Sequence, residues 1–198
     1  MSELPEFERF QKIPRLYRDI IVTEKIDGTN AQVYVDPVGV VLAGSRSRWL
    51  TPEKDNFGFA RWVKEHEEEL WSGLGMGRHY GEWWGPGIQR GYGLKEKRFS
   101  LFNTNRWAVP GDNLPALVER PRCCDVVPVL YSGPFEEVKI QGCLDLLAER
   151  GSMASPGFMR PEGIVVFHTA SSSLFKVTLK NDEKPKGKTN EGTEGADA

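Results

Sequence analysis

One lysine in the chain stands in a setting that suggests chemistry. Residues 23–30 read TEKIDGTN, so Lys25 ends an apolar run and is followed at once by an acid and a glycine. A free lysine amine, with a pKa of about 10.4, is protonated at neutral pH, and a lysine that attacks a substrate therefore needs a site that removes its proton. Lys25 could be such a nucleophile, or it could be a surface lysine beside an ordinary Asp-Gly turn.

Five later segments combine charged, aromatic and glycine residues. They are 44–48 (GSRSR), 80–85 (YGEWWG), 99–103 (FSLFN), 161–166 (PEGIVV) and 174–180 (LFKVTLK). Preceded by 25–28 (KIDG), they resemble motifs I, Ia, III, IIIa, IV and V of the covalent nucleotidyltransferases, the superfamily of ATP-dependent ligases and RNA-capping enzymes. Six short motifs in the right order are far more specific than one, and the resemblance covers most of the chain.

The resemblance implies a role for three of these residues. Lys25 would attack the α-phosphate of ATP, release pyrophosphate and leave a lysyl-AMP. Glu162 would hold a catalytic Mg²⁺ or Mn²⁺ through water, because Mg²⁺ keeps much of its hydration shell. Glu82 would bind the ribose hydroxyls. The competing interpretations are a turn glutamate before a strand for Glu162 and a structural acid beside two tryptophans for Glu82, and we favour the functional interpretation of both.

The last motif differs from the RNA ligase pattern. Lys176 resembles the lysine that contacts the α-phosphate, and Lys180 is the candidate for a second phosphate contact. Many RNA ligases have a Lys-x-Lys spacing here, whereas position 178 of this chain is threonine. An outward-facing pair of lysines on a strand is the alternative.

Five other residues are implied to contact the nucleotide or a strand end. Phe102 would stack on adenine, although an alternating strand could also bury it in the core. Arg46, and after it Arg48, would bind ribose or a strand end. Asn30 occupies a position where RNA ligases carry an asparagine implicated in sealing, and asparagine is also compatible with a turn. Glu24, directly before the lysine, is predicted to bind nucleotide as well.

The hydrophobic pattern predicts the elements that position these residues. A strand at 19–25 ends at Lys25, and strands at 31–35 and 38–43 form a hairpin. A helix at 56–74, capped by Asp55 or Asn56, carries His66 as a structural residue on its flank. A second helix at 135–150 ends at Gly151. Strands at 163–167 and 174–179 would bring Glu162 and Lys176 to one cleft.

The glycine-rich stretch 85–93 reads GPGIQRGYG. It lacks the Gly-Lys-Ser/Thr ending of a phosphate-binding loop and does not fit the dinucleotide fingerprint. We interpret it as a mobile active-site loop.

The composition predicts one catalytic domain. The chain has 198 residues, of which 39% are hydrophobic, and a formal net charge of −2. Such a charge argues against binding long nucleic acid by charge alone, so contacts should be local. The candidates are the pair Arg46 and Arg48 and the basic residues of 90–106, which include Lys95, Lys97 and Arg98; a solvated loop is the alternative for both groups.

Cysteine usage and apolar spans point to a cytoplasmic location. Cys123, Cys124 and Cys143 have neither zinc-site spacing nor an even count, so we expect buried or free thiols in a reducing compartment. No basic leader and no apolar span long enough for a bilayer is evident, and no membrane partner is expected.

We predict an α+β nucleotidyltransferase domain of mixed antiparallel sheets with flanking helices at 1–182, without an additional OB domain, and a disordered polar tail at 183–198. The runs KIDGTN and EGIVV look most like RNA ligases. The predicted function is an ATP-dependent ligase that joins 5′-phosphate and 3′-hydroxyl ends of RNA. The alternatives are a nicked-DNA ligase, a GTP-dependent capping guanylyltransferase, and a module that binds nucleotide or RNA ends without sealing.

Overall fold

The computed structural model describes residues 6–107 and 120–180, and the predicted tail at 183–198 lies outside these residues. The described part is an α+β structure with two β-sheets, as the sequence predicts. The elements in chain order are β1 (Asp19–Lys25), β2 (Thr29–Val35), β3 (Val41–Ser45), β4 (Trp49–Leu50), α1 (Phe59–Glu65), α2 (Glu67–Leu74), β5 (Gly77–Trp84), β6 (Arg98–Leu101), α3 (Thr104–Trp107), β7 (Cys124–Val126), β8 (Val129–Pro134), α4 (Glu137–Arg150), β9 (Gly163–His168) and β10 (Ser173–Thr178).

The first sheet has four antiparallel strands in the order β10-β9-β1-β8. Side chains alternate between the two faces of each strand, and one face is apolar. Ile20 and Val22 of β1 and Ile164 of β9 form a core on this face with Cys143 and Leu147 of α4. Lys25, at the end of β1, belongs to the opposite face.

The second sheet has six strands in the order β4-β3-β2-β5-β6-β7, of which β6 and β7 are parallel. One of its faces packs against α1 and α2. Val33 of β2 and Phe99 of β6 are completely buried there, together with Leu70 of α2. The other face carries Asn30 and Glu82, which pair in register across β2 and β5.

In the described residues the chain passes between the two sheets from β1 to β2, through 26–28, and from β7 to β8, through 127–128. Ile26 and Val127 from these two links are buried in one small cluster with Trp84 and Tyr92. The cluster therefore packs the links against the second sheet.

The predicted helix at 56–74 is two helices, so this prediction was wrong in one respect. α1 ends at His66, where φ is −110°, and α2 begins at the next residue. The apolar spacing continues through the break, which explains the error. His66 Nδ1 donates a hydrogen bond to the Trp62 carbonyl at 2.8 Å, in agreement with the predicted structural role of His66.

The start of α1 also differs from the prediction. Gly58, with φ of 84°, is the N-cap residue and has no side chain to offer. Asp55 supplies the acceptors instead, because its carboxylate accepts hydrogen bonds from the backbone N–H groups of Ala60 and Arg61 at 2.7 and 3.2 Å. Asp55 thus satisfies donors at the helix start from outside the helix.

The other predicted elements are confirmed within a few residues at their ends. β1 has the predicted bounds, and α4 begins two residues later than predicted and ends, as predicted, before Gly151. The three cysteines are free. Among the described helices none has the length and apolar character needed to cross a membrane.

Candidate active site

Lys25 and Glu162 form an ion pair at one edge of the first sheet. Lys25 is the last residue of β1 and pairs with Gly163, the first residue of β9, so that Glu162 lies beside it. Lys25 Nζ donates to Glu162 Oε2 at 2.6 Å. The Lys25 side chain is 24% exposed and that of Glu162 only 4%. The two residues, 137 positions apart in the chain, therefore meet where solvent can still reach the amine.

Glu82 organises the segment that follows Lys25. Its Oε1 accepts a hydrogen bond from the Gly28 N–H at 3.0 Å, and its Oε2 accepts one from Asn30 Nδ2 at 3.2 Å. The backbone of Gly28 lies so close to β5 that a Cβ atom on Gly28 would be 2.5 Å from the Trp83 carbonyl oxygen. Glycine is required at position 28 for this contact between the link 26–28 and β5.

The environment of Glu82 shifts its titration. Burial raises the pKa of Glu82 to about 7, and the nearby carboxylates of Glu162 and Asp27 add to the rise. The Lys25 ammonium acts in the opposite direction. Glu82 can therefore change its protonation state near neutral pH, as acids and bases at functional sites often do.

Arg90, predicted only as one of the basic residues of 90–106 that could contact phosphate, joins two of the motifs through its guanidinium. Arg90 Nε donates to Asp27 Oδ2 at 2.7 Å. Its Nη1 donates to the carbonyls of Arg160 and Pro161 at 2.9 and 3.0 Å. Arg90 thereby connects the segment after Lys25 with the segment before Glu162. The interaction spans 63 residues along the chain, and no local pattern announces it.

The stretch 85–93 is anchored, and the interpretation as a mobile loop is corrected. Ile88 and Tyr92 are buried at 0% and 1% exposure. The Tyr92 hydroxyl accepts a hydrogen bond from the Asp27 N–H at 2.9 Å. Burial is also the main reason why the pKa of Tyr92 is raised. The glycines permit positive φ values at four positions of this stretch, and the two buried side chains hold it against the protein.

Glu24 faces away from Lys25, and its contact with nucleotide stays a prediction. Its side chain is 1% exposed and lies on the core face of β1. Ser152 Oγ donates to Oε1 at 2.6 Å, and the N–H groups of Met153 and Ala154 donate to Oε2 at 2.7 and 2.9 Å. Burial raises the pKa of this carboxyl group. Its side chain anchors the loop after α4.

Lys176 lies on the same face of the first sheet as Lys25. It pairs with Val165 of β9, and Val165 pairs with Thr23 of β1. Thr23 and Lys25 are two positions apart and so share a face. Lys176 is exposed, and the register agrees with the expectation that it faces the same cleft as Glu162.

Thr178 occupies the row of the sheet that contains the lysine. It pairs with Gly163, which pairs with Lys25 on the other side. Thr178 Oγ1 donates to the carbonyl of Lys180 at 2.9 Å, and Lys180 is exposed just beyond β10. The residue that departs from the Lys-x-Lys pattern is thus the one in line with Lys25.

Phe102 is not buried in the core. It is 41% exposed, and its N–H donates to the Tyr80 carbonyl at 2.9 Å, which extends the pairing between β5 and β6 by one residue. Strand alternation puts it on the face of Ser100, the register partner of Glu82. An exposed aromatic ring therefore lies on the sheet face that carries Glu82.

The two arginines of segment 44–48 lie in the turn between β3 and β4 and are both exposed. Arg48 Nη1 donates to the Lys54 carbonyl at 2.8 Å, so Arg48 braces the segment before Asp55. No such backbone contact is seen for Arg46 among the described residues.

Several basic residues of 90–106 also brace the fold. Lys97 Nζ donates to the Phe57 carbonyl at 2.7 Å, and Arg106 Nη2 donates to the Leu74 carbonyl at 2.6 Å. Lys95 lines an open cavity of about 620 Å³ together with Trp62. A phosphate contact from this group stays a prediction.

Comparisons with known proteins support one family. The family model for RNA ligase matches residues 18–180 of the chain. A search of curated proteins finds no match.

The fold is similar to solved structures of an RNA ligase from Naegleria gruberi. A lysine-to-alanine variant with ATP and Mn has 17% identity and a TM-score of 0.55, covering 81% of this chain and 49% of that one. The same ligase with PPi has 18% identity and a TM-score of 0.54, covering 88% of this chain and 57% of that one. The chain thus spans about half the length of these structures. At this identity the likeness shows the fold, and the family model, which matches most of the chain, shows that it belongs to the RNA ligase family.

Proposed function

We propose that the chain is the adenylylating part of an ATP-dependent RNA ligase that works through a lysyl-AMP intermediate. The observation that carries the proposal is the pairing of Lys25 with Glu162 at 2.6 Å, because it joins the residue that resembles the family's nucleophile with the residue that resembles its metal ligand. The buried carboxylate of Glu82 lies on the strand next to the one that follows Lys25.

In the first step, Lys25 Nζ attacks the α-phosphorus of ATP. A nitrogen–phosphorus bond forms, the bond to the pyrophosphate oxygen breaks and pyrophosphate leaves, and the amine gives its proton to solvent, to which the Lys25 side chain is partly exposed. The geometry supports Lys25 in this role, since its amine is held by one carboxylate and is partly open to solvent. AMP would next pass to a 5′-phosphate end, and a 3′-hydroxyl would displace AMP to seal the strand.

Glu162 is the residue best suited to hold Mg²⁺ or Mn²⁺. Within 6–107 and 120–180 no three His, Cys, Asp or Glu residues are grouped as a metal cage. Mg²⁺ rarely needs one, since it binds through one or two carboxylates and keeps several waters beside substrate phosphates. A bound ion would supply positive charge that stabilises the phosphate oxygens.

The remaining contacts are assigned by position. Glu82, whose Oε2 accepts a hydrogen bond from Asn30, is the proposed acceptor for ribose hydroxyls, and its burial beside the segment that follows Lys25 supports this assignment. Phe102 offers an exposed ring for adenine. Lys176, on the Lys25 face, is the candidate for the α-phosphate.

The cations at the borders of the site complete the proposal. Lys180 is the candidate for a further phosphate contact, and Arg46 the better candidate for a strand end, with Arg48 second. As in the sequence analysis, a 5′-phosphate and a 3′-hydroxyl of RNA are the proposed ends, DNA ends are the alternative, and the cytoplasm is the proposed location.

A non-sealing binding module is the second candidate, and one observation favours it. Thr178 stands in the row of Lys25, where a lysine of the family's pattern would add a positive charge. Such a module would bind ATP or RNA ends without joining them.

The test is covalent labelling with α-labelled ATP and, in parallel, α-labelled GTP, in Mg²⁺ or Mn²⁺, followed by a denaturing gel and intact mass. We expect label from ATP in the wild type and in Lys139→Ala, an exposed lysine on α4, and none in Lys25→Ala. Label from GTP alone would indicate a capping-type enzyme. No label in a folded protein would leave the binding module, and sealing of 5′-phosphorylated RNA or DNA would identify the substrate.

A further inference from the structure

The face of the six-stranded sheet away from the helices carries a line of polar and aromatic side chains that leads away from Lys25. Alternate residues of β2 and β5 meet here in register, while their neighbours Ala31 and Val33 are buried in the core. In order from Lys25, the rows are Asn30 with Glu82, Gln32 with Tyr80, and Tyr34 with Arg78.

Arg78 is held against two aromatic rings on this face. Its Cζ lies 5.0 Å from the centre of the Tyr34 ring and 5.2 Å from that of Trp49. Its Nη1 donates to Gln32 Oε1 at 3.1 Å. Trp49 belongs to β4 and pairs with Gly44, which places it on the same face. The guanidinium is thereby fixed in orientation at the surface, at a cost in side-chain entropy that surface arginines usually avoid.

Two large aromatic side chains on this face are about half exposed to solvent, although burying them would be favourable. Trp49 is 45% exposed and Tyr80 is 54% exposed. On this face Glu82 lies at the Lys25 end of the paired strands β2 and β5, and the cation Arg78 lies two rows farther along the same strands. Exposed aromatic rings together with a cation are what proteins use to bind unpaired nucleotides, by stacking on bases and pairing with phosphates.

The distance from Asn30 to Tyr34 along β2 is compatible with a nucleic-acid strand whose end lies at Lys25 and whose next nucleotides lie on this face. Tyr34 is four residues beyond Asn30 on β2, which is about 13 Å along the strand. We propose that Tyr34, Trp49, Arg78 and Tyr80 form a stacking platform for the unpaired nucleotides of a polynucleotide strand whose end is held at Lys25. This inference rests on the proposed function for the identity of its ligand and deepens it.

The test is binding of a fluorescein-labelled, 5′-phosphorylated single-stranded RNA, measured by anisotropy at several salt concentrations. Trp49→Ala and Tyr80→Ala should each raise Kd about fivefold or more, since one base–aromatic stack is worth about 1–3 kcal/mol. Trp49→Phe and Tyr80→Phe should retain most of the affinity. Arg78→Ala should also lower the slope of log K against log salt by about one.

Two matched controls lie away from this face. Trp71→Ala removes a tryptophan that is 52% exposed on α2, and Arg150→Ala removes the last residue of α4. Both should bind RNA as the wild type does. All platform variants should keep wild-type labelling by ATP, which needs no RNA, and this readout also reports that they are folded.

The outcomes separate the two proposals. Equal RNA affinity in the wild type and all platform variants would overturn the platform, even if ATP labels Lys25. Loss of RNA affinity in the platform variants of a protein that ATP does not label would support the platform and reject the ligase. These side chains could instead form a contact between two copies of the chain. Sedimentation velocity would then show dimers in the wild type and monomers in the platform variants, with unchanged RNA affinity. This result would also overturn the inference.

Discussion

Arg90 and Asp27 form an ion pair of 2.7 Å that holds the segment after Lys25 against the segment before Glu162. Because the same guanidinium binds the Pro161 carbonyl, one side chain holds together the segments that carry Lys25 and Glu162, the two residues of the proposed first step.

Arg90→Ala should therefore slow labelling by ATP without abolishing it. The expected loss is about tenfold to a hundredfold in the rate constant, which is what a displacement of reacting groups by an ångström can cost. Single-turnover labelling measures it. Arg122→Ala, a change at an exposed arginine, is the control, and an unchanged rate in Arg90→Ala would show that the brace is dispensable.

Glu162→Gln should remove the metal dependence of labelling. The amide keeps the size of the side chain but loses the charge that would bind Mg²⁺ or Mn²⁺ and that pairs with Lys25. We expect a decrease of about a hundredfold or more at saturating ATP, comparable with the loss of one electrostatic contact to a transition state. Glu149→Gln, at an exposed position of α4, should behave as the wild type. A Glu162→Gln protein with the same Mn²⁺ titration curve as the wild type would contradict the assignment.

The pKa of Glu82 predicts how stability depends on pH. Burial raises the folded pKa of Glu82 from the ordinary 4.5 to about 7, so between these values the folded state binds more protons than the unfolded state. The free energy of unfolding should therefore fall as pH rises from about 4.5 to about 7, by up to about 3 kcal/mol from this group. Glu82→Gln should lack this component.

Urea unfolding at pH 5 and pH 8 measures the effect, as the difference between the wild type and Glu82→Gln. Glu149→Gln serves again as the control for a change of one net charge. A pH dependence that is the same in all three proteins would contradict the raised pKa.

Glu24 should matter for stability. Glu24→Gln replaces an acceptor of three hydrogen bonds by a group that can accept fewer, and should lower the free energy of unfolding by about 1–3 kcal/mol. Ser152→Ala removes one of these bonds and should cost less. Denaturant unfolding measures both, and ATP labelling should persist in the folded fraction. Full stability with lost labelling would instead indicate a direct contact with nucleotide.

Thr178→Lys tests the departure from the Lys-x-Lys pattern. A lysine in the row of Lys25 would place a second positive charge near the phosphates, and we expect labelling to accelerate by about tenfold or more. Lys180→Ala in the wild type is the companion change. If Lys180→Ala is strongly impaired and Thr178→Lys gains nothing, the second phosphate contact is already made by Lys180.

Much of the fold could be predicted from local patterns, and the particular failures have physical causes. β1 was predicted at both ends because the apolar run Ile20, Ile21 and Val22, rich in β-branched residues, leads directly into Lys25. The break at His66 was missed because the apolar period continues across it. Strand alternation places the Glu24 side chain on the opposite face from Lys25, so the nucleotide contact predicted for Glu24 depends on the resemblance and not on the strand pattern.

The long-range contacts of the site lay beyond such patterns. No local pattern predicts the contact between Lys25 and Glu162, and only the resemblance to a family assigns both residues to one site. The brace by Arg90 was missed because hydrogen bonds to the Pro161 carbonyl depend on tertiary structure and leave no spacing in the sequence.

The short link 26–28 between the two sheets couples the position of Lys25 to the position of the second sheet. Lys25 is carried by the four-stranded sheet and Glu82 by the six-stranded sheet, and only residues 26–28 separate the strand of Lys25 from its successor. The distance between the Lys25 amine and a nucleotide held at Glu82 would therefore depend on the angle between the two sheets. Ile26, Trp84 and Tyr92 pack together beside the link that joins the two sheets. A substitution that changes the volume of this cluster would change the angle between the sheets, and with it the distance from Lys25 to the nucleotide, without altering any residue of the proposed chemistry.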